Sequence, residues 1–183
     1  SWPKILEDVE HGRLKKTYRS SSYPDLKRAP MPDFSVLKKE HYFPLHPIQA
    51  SRGCPHTCAF CTVHTIFGRK MRFRSLETIR QELDQTPERY IAFVDDNLSI
   101  NRKFLHDLAG IMRTYDKYWF CQSDLNIARH PELLAEMHAS GCRLILVGLE
   151  SIVPSNLEAF ADGKNSMASM RLLIDRIHEV GIG

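Results

Sequence analysis

Four short apolar runs, each followed by a stretch of helical periodicity, do most to limit what this chain can fold into. They start near residues 47, 90, 118 and 143 and cover 47–51, 90–94, 118–121 and 144–149. Unbroken apolarity over a few residues suits a parallel strand covered on both faces. Ser75 is placed to cap a helix that carries Leu76, Ile79 and Leu83 on one face. Phe104, Leu105, Leu108, Ile111 and Met112 recur at the same spacing. Pro131 suits the first turn of a third helix with Leu133, Leu134 and Met137, which Gly141 would end. Met167, Met170, Leu173, Ile174 and Ile177 form a last one, closed by Gly181. Strand and helix in regular alternation is the signature of right-handed βαβ units. The expected fold is α/β: a partial (β/α) TIM-type barrel of parallel strands in the order 47, 90, 118, 143. It is incomplete in this chain, because four βα units do not close an eight-unit barrel and a fifth strand is due at Ile182-Gly183.

Residues 1–46 lack this alternation. They hold Pro3, Pro24, Pro30, Pro32 and Pro44, the run Ser20-Ser21-Ser22, and basic pairs at Lys15-Lys16 and Lys38-Lys39. Residues 2–9 read as a short helix that stops near Gly12, and the rest as a linker. This segment is expected to lie against the outside of the sheet and to supply no ligand. Residues 47–183 carry the four βα units.

With 183 residues, 43% of them hydrophobic, the chain can bury one core but hardly two. A net charge of +3 is too mild for the concentrated basic face of a nucleic-acid binder, so no nucleic-acid partner is expected. No run of about 18 uncharged apolar residues offers a membrane span. The first ten residues are acidic and lack the layout of a signal peptide. Of five cysteines, three crowd into eight residues, unlike the dispersed pairs of a disulfide scaffold. A reduced, cytoplasmic protein whose thiols serve a metal is the economical expectation.

Cys54-Pro55-His56-Thr57-Cys58-Ala59-Phe60-Cys61 has the spacing C-x3-C-x2-C. Thiolates are the usual ligands of iron–sulfur clusters, and a cubane normally takes four. Three cysteines within eight residues can wrap three corners of one 4Fe-4S cube, which would leave the fourth iron without a protein thiolate. Their sulfurs are expected to face a common point. The rival is structural zinc completed by His56, His64, Cys121 or Cys142, but zinc sites are usually built from two paired knuckles, and the second pair is missing. Cys121 and Cys142 read as small buried hydrophobes.

The string from Gln49 to Cys61, with an aromatic residue just before the third cysteine, resembles the signature of the radical S-adenosylmethionine (SAM) superfamily. Arg72-Phe73-Arg74-Ser75-Leu76-Glu77, Phe93-Val94-Asp95-Asp96-Asn97 and Gly148-Leu149-Glu150-Ser151 resemble its branch with an N-terminal cobalamin-binding domain. The opening from Trp2 to Leu14 is similar to the last helix of such a domain and its exit linker, which makes residues 1–46 the tail of a preceding cobalamin-binding-type domain. The resemblance implies that Cys54, Cys58 and Cys61 hold the cluster and that SAM chelates the open iron. One electron then cleaves SAM to a 5′-deoxyadenosyl radical, or methyl transfer occurs with cobalamin in the parent protein. No Asp-x-His-x-x-Gly string, which would supply cobalamin's lower ligand, is present.

The resemblance also implies cofactor-binding residues. The backbone of Phe60 would lie near the adenine. Asp95, Asp96 and Asn97 stand where the family places a Gly-Gly-Glu-like turn that receives the amino group of SAM. Glu150 would contact its ribose or amino group. Against this, Asp96 and Asn97 also suit a simple turn or cap. Asp95 and Glu150 are expected to open onto the same sheet edge as the cysteine loop, the C-terminal edge where barrel sites collect. Arg69, Lys70, Arg72 and Arg74 read as a solvated loop that balances the cluster's charge. The implied partners are a small-molecule substrate and a reductant such as flavodoxin or ferredoxin; no catalytic residue is assigned. The four units alone are not expected to turn over substrate. Other functions considered are a methylthiotransferase-like enzyme acting on RNA and a non-catalytic iron–sulfur or zinc-binding protein.

Overall fold

The computed structural model describes residues 2–153, 156 and 167–183. After helix α1 (Trp2–Glu10), three short 3-10 turns lead into β1 (Leu45–Ile48). A two-residue strand β2 (Ser51–Arg52), a four-residue helix α2 (Val63–Ile66) and a second short strand β3 (Arg72–Phe73) frame the cysteine loop. There follow α3 (Leu76–Gln85), β4 (Tyr90–Phe93), α4 (Arg102–Met112), β5 (Tyr118–Ser123), α5 (Pro131–Ala139), β6 (Cys142–Val147) and α6 (Met167–Glu179). Strands β1, β4, β5 and β6 form one parallel sheet in that order. The fold is the α/β one expected from the sequence, consistent with a partial barrel.

The predicted caps are in place. The Ser75 hydroxyl accepts from the Thr78 amide, and Pro131 opens α5. Gly141 and Gly181 end their helices with φ of 97° and 82°. Gly183 donates to Arg143 O and accepts from Ile145 N, both at 2.9 Å, so the last residue already pairs with the free edge of β6.

Three expectations need correction. The first strand spans Leu45–Ile48, two residues earlier than predicted, with Pro47 inside it. β1 lies at the sheet edge, where a missing N–H is tolerated. Next, among the described residues, helices cover one face of the sheet and not the other. Ile48, Ile91, Phe93, Trp119, Cys121 and Ile145 pack with Leu83, Leu105, Leu108, Met112, Leu134 and Leu173 into the core. The opposite face is apolar but open: Val94 and Leu144 are exposed, and Leu146 is 60% exposed. Lastly, residues 31–44 do not stay on one side of the sheet but wrap the edge of β1: Phe34 meets the ring of His46, which faces Glu82 on the helix side, with centroids 4.6 Å apart. They border a cleft of about 850 Å³ along the flank of β1, whose other lining includes Ala92, Val94 and Phe120 of the open face. The unpaired flank of an edge strand is the surface that gains most from such cover.

Candidate functional site

The cysteine loop leaves and rejoins the sheet through a narrow neck. Ser51 pairs with Phe73 and Arg52 with Arg72 in a short antiparallel ladder. The Arg74 amide donates to Ala50 O at 2.8 Å, and the Cys54 amide to Gly68 O at 3.2 Å. Gly53 sits at φ 99°, where a Cβ would come within 2.6 Å of Lys70 O, so only glycine fits this crossing. Two arginines read from sequence as solvated turn inward instead. Arg72 donates to Pro24 O and Phe67 O (3.0 and 2.6 Å) and lies over the Tyr23 ring. Arg74 is buried and donates to Glu82 at 2.6 Å; Glu82 also meets the ring of His46 at 3.2 Å. His46 is thereby engaged with a carboxylate on the helix side.

The end of β4 holds the neck from beneath. Asp95 is 0% exposed and accepts from the Ala50 amide at 3.0 Å and the Ser51 hydroxyl at 2.5 Å. Burial pushes its carboxyl up to about 6, against the pull of those donors. Asp95 therefore does not open onto the sheet edge as expected; it is turned inward, under the loop. Asp96 behaves differently. One of its carboxylate oxygens, Oδ2, is buried without any hydrogen-bond partner, and desolvation raises its pKa.

Cys54, Cys58 and Cys61 are all free and half-buried. Burial pushes the Cys54 thiol up. The His56 amide, which bonds to it, works the other way, and the nearby Cys58, Cys61 and Asp96 raise it further. The other two thiols of the loop and the Asp96 carboxylate after β4 thus lie within electrostatic reach of Cys54. Among the described residues, no three His, Cys, Asp or Glu side chains converge on a site for a single metal ion. A cubane gives each thiolate its own iron, so its ligands stand farther apart than those of one ion; the donor set is all-thiolate and suits a cluster. Cys121 and Cys142 lie in the core, where a hydrogen bond to Cys142 and burial hold the Cys121 thiol well above its ordinary value.

Asn97 is bound into a polar bridge across the strand ends. Its amide donates to Asp124 at 2.8 Å and accepts from Ser99 at 3.0 Å, and Ser123 donates to Ser99 at 2.6 Å. It caps no helix with its side chain; Asn101 caps α4. Asp124 also lies 3.7 Å from His56, which ties the cysteine loop to the end of β5. Sequence reasoning missed Asp124, although a carboxylate just past a strand's C-terminal end is the signal by which Asp95 was found.

Glu150 follows the end of β6 on the same sheet edge as the cysteine loop. It is exposed and holds φ at 60°, the sole non-glycine among the described residues with positive φ. Its carboxylate folds back over Gly148, where a Cβ would collide with it. Phe60 is 50% exposed at the surface of the loop.

Residues 48–183 match the Radical SAM superfamily, a span that begins in β1 and includes all three cysteines. The chain belongs to the radical SAM superfamily. This radical SAM chain is 29% identical to the bacteriochlorophyllide d C-12(1)-methyltransferase of Chlorobaculum tepidum, over 97% of the chain and 41% of that protein. It is 31% identical to the hopanoid C-2 methylase of Rhodopseudomonas palustris, over 98% of the chain and 36% of the relative. The chain thus spans less than half the length of these relatives. Among solved structures, the cobalamin-dependent SAM radical enzyme OxsB, with aqua-cobalamin and SAM bound, superposes with a TM-score of 0.80. The match covers 99% of the chain and 31% of that structure, at 14% identity. The radical SAM methyltransferase TsrM from Kitasatospora setae, bound to its tryptophan substrate and a SAM analogue, gives 0.67 over 86% of the chain and 33% of that structure, at 17% identity. These likenesses place the four βα units in the radical SAM fold. No helix among the described residues is long and apolar enough to cross a membrane.

Proposed function

We propose that this chain is the N-terminal part of the radical SAM domain of a cobalamin-associated methyltransferase, with residues 1–46 leading in from a cobalamin-binding-type domain. The reading rests above all on one arrangement. Three half-buried thiols share a loop at the C-terminal edge of the parallel sheet, beside a buried Asp96 oxygen that lacks a donor. Methyltransferase names among the relatives support the class of reaction.

Cys54, Cys58 and Cys61 would hold the 4Fe-4S cluster, which when bound supplies the electron for reductive cleavage of SAM. The protein's own groups bind and orient. Asp96 Oδ2 offers the acceptor that an ammonium group needs. Glu150, folded back over Gly148, presents a second carboxylate on the same edge. Asp95 and Asn97 have their polar atoms engaged within the protein and act as supports. Thiol ligands require a reducing compartment, in keeping with the cytoplasm. The open apolar face with Val94, Leu144 and Leu146 gives the substrate side a dry wall.

Anaerobic reconstitution with iron and sulfide tests this reading. It should load about four irons per chain and give an EPR signal that shifts when SAM is added. Cys54→Ala, Cys58→Ala and Cys61→Ala should each lose the loading. Equal iron uptake by the variants, or a spectrum indifferent to SAM, would overturn it.

A further inference from the structure

The neck of the cysteine loop carries a group of cations that the site itself does not use. Arg69 and Lys70 are exposed, and their backbone lies directly behind the first cysteine: Gly68 O accepts from the Cys54 amide, and Lys70 O abuts Gly53. A distant segment brings two more. Arg72 holds Pro24 O, the Tyr23 ring packs on Gly68, and Leu26 is buried. This anchors the turn Leu26–Arg28 against β3, with Lys27 and Arg28 exposed on it. None of these four side chains has a hydrogen-bond or ion-pair partner among the described residues. Arg72 and Arg74, by contrast, are consumed internally. The result is a group of four unpaired positive charges on two segments more than forty residues apart that meet at β3, next to the backbone that bonds Cys54. Asp25, which caps the Lys27 amide, keeps its own negative charge there, so the four cations leave the patch net positive.

We propose that Arg69, Lys70, Lys27 and Arg28 form the docking surface for an acidic one-electron carrier protein. The proposal rests on the cluster reading above and names the partner of that same site. A net-positive patch attracts an oppositely charged surface and steers its approach, an effect that added salt screens. Its position fits delivery of an electron: the backbone of residues 68–70 contacts Gly53 and the Cys54 amide, so a carrier docked on the patch lies beside the cysteine loop. One electron leaves the carrier, which is oxidised by one, and enters the centre held by the cysteines, which is reduced by one; no proton moves. A nucleic acid is the less suitable partner. The patch is small, and Tyr23, its aromatic residue, is held beneath Arg72 instead of free for base stacking.

The test has two independent readouts, with a flavodoxin as the probe. First, carbodiimide crosslinking of the metal-free protein to flavodoxin, mapped by mass spectrometry, should join Lys70 and Lys27 to acidic residues of the probe and should fade as salt is raised. Second, after reconstitution, the rate of reduction by flavodoxin should drop about tenfold or more in the double variant Arg69→Glu/Lys70→Glu. Reduction by photoexcited 5-deazariboflavin, a small neutral donor, should be unchanged. Arg69→Gln/Lys70→Gln should fall between. Crosslinks elsewhere, an unaltered flavodoxin rate in the charge-reversed variant, or tight binding of a single-stranded RNA in place of flavodoxin would overturn the docking surface. Failure to load iron at all would count against the cluster reading, while the crosslinks would still decide the patch.

Discussion

Asp95 and Ser51, 44 residues apart in sequence, share a 2.5 Å hydrogen bond that fastens the start of the cysteine loop to the end of β4. The same carboxylate takes the Ala50 amide. Its pKa is raised, mainly by burial, from 3.8 to about 6. A carboxyl whose folded pKa exceeds its unfolded one keeps its full contribution below pH 4 and loses it as pH rises through 6. Asp95→Asn can preserve both contacts, its oxygen accepting from Ala50 and its nitrogen donating to the Ser51 hydroxyl. It should therefore remove that downward slope between pH 4 and 6 with little loss of stability. Asp95→Ala strands a buried amide and should cost about 2 kcal/mol. Urea unfolding at several pH values checks both. An identical pH profile for wild type and the Asn variant would refute the role given to this carboxyl.

The buried trio of His46, Glu82 and Arg74 is the second brace of the neck. Burial works against the Glu82 charge, yet the hydrogen bonds from His46 and Arg74 outweigh it and hold the carboxyl below its usual value. Its contribution to stability is present above the unfolded pKa of 4.5 and is lost as pH falls through the lower folded value. Arg74→Met removes the closer partner and leaves a buried carboxylate facing His46 alone, which should cost about 3 kcal/mol. Glu82→Gln/Arg74→Met should recover part of it. Chemical denaturation of the two variants decides the point, and additive losses would show that the ion pair is not the cause.

Gly53 makes a sharper demand. Alanine at φ 99° carries a backbone cost of at least about 1 kcal/mol, and its Cβ would press on Lys70 O and Gly68 O. Gly53→Ala should push the 68–70 backbone outward and break the hydrogen bond that the Cys54 amide donates to Gly68 O. The expected outcome is a lower melting temperature together with iron loading well below that of the wild type. Full loading in a destabilised protein would separate fold from site and disprove the coupling.

The parts that were legible in the sequence have strong local signals. Continuous apolar runs located β4, β5 and β6, and Ser75 and Pro131 marked two helix starts. The strand ends shifted because pairing, not composition, decides them: β6 spans Cys142–Val147, and Gly148 and Leu149 belong to the turn. What was not legible is long-range. The β2–β3 ladder has two residues per strand, too few for any periodicity. Arg72 and Arg74 look like surface charge until Pro24, Phe67 and Glu82 are folded against them. In the same way Asp95 and Asp96 are adjacent and chemically alike in the sequence, and the structure assigns one to the frame and leaves the other with an unpartnered oxygen.

Glu150 offers a test that separates strain from function. A non-glycine residue at φ 60° is held there against its own preference, and such outliers gather at ligand sites. Glu150→Gly relaxes the backbone and should stabilise the fold by about 1 kcal/mol, while deleting the carboxylate. Glu150→Gln keeps the strain and removes only the charge. If the carboxylate accepts a hydrogen bond from SAM, both variants should bind SAM about tenfold more weakly, the loss expected for one charged hydrogen bond, although only the glycine variant gains stability. Isothermal titration with SAM, on reconstituted protein, set beside thermal melts supplies both numbers. Were affinity to follow stability instead, with only the glycine variant altered, the bend at Glu150 would be a feature of the β6 turn and its carboxylate no part of the site.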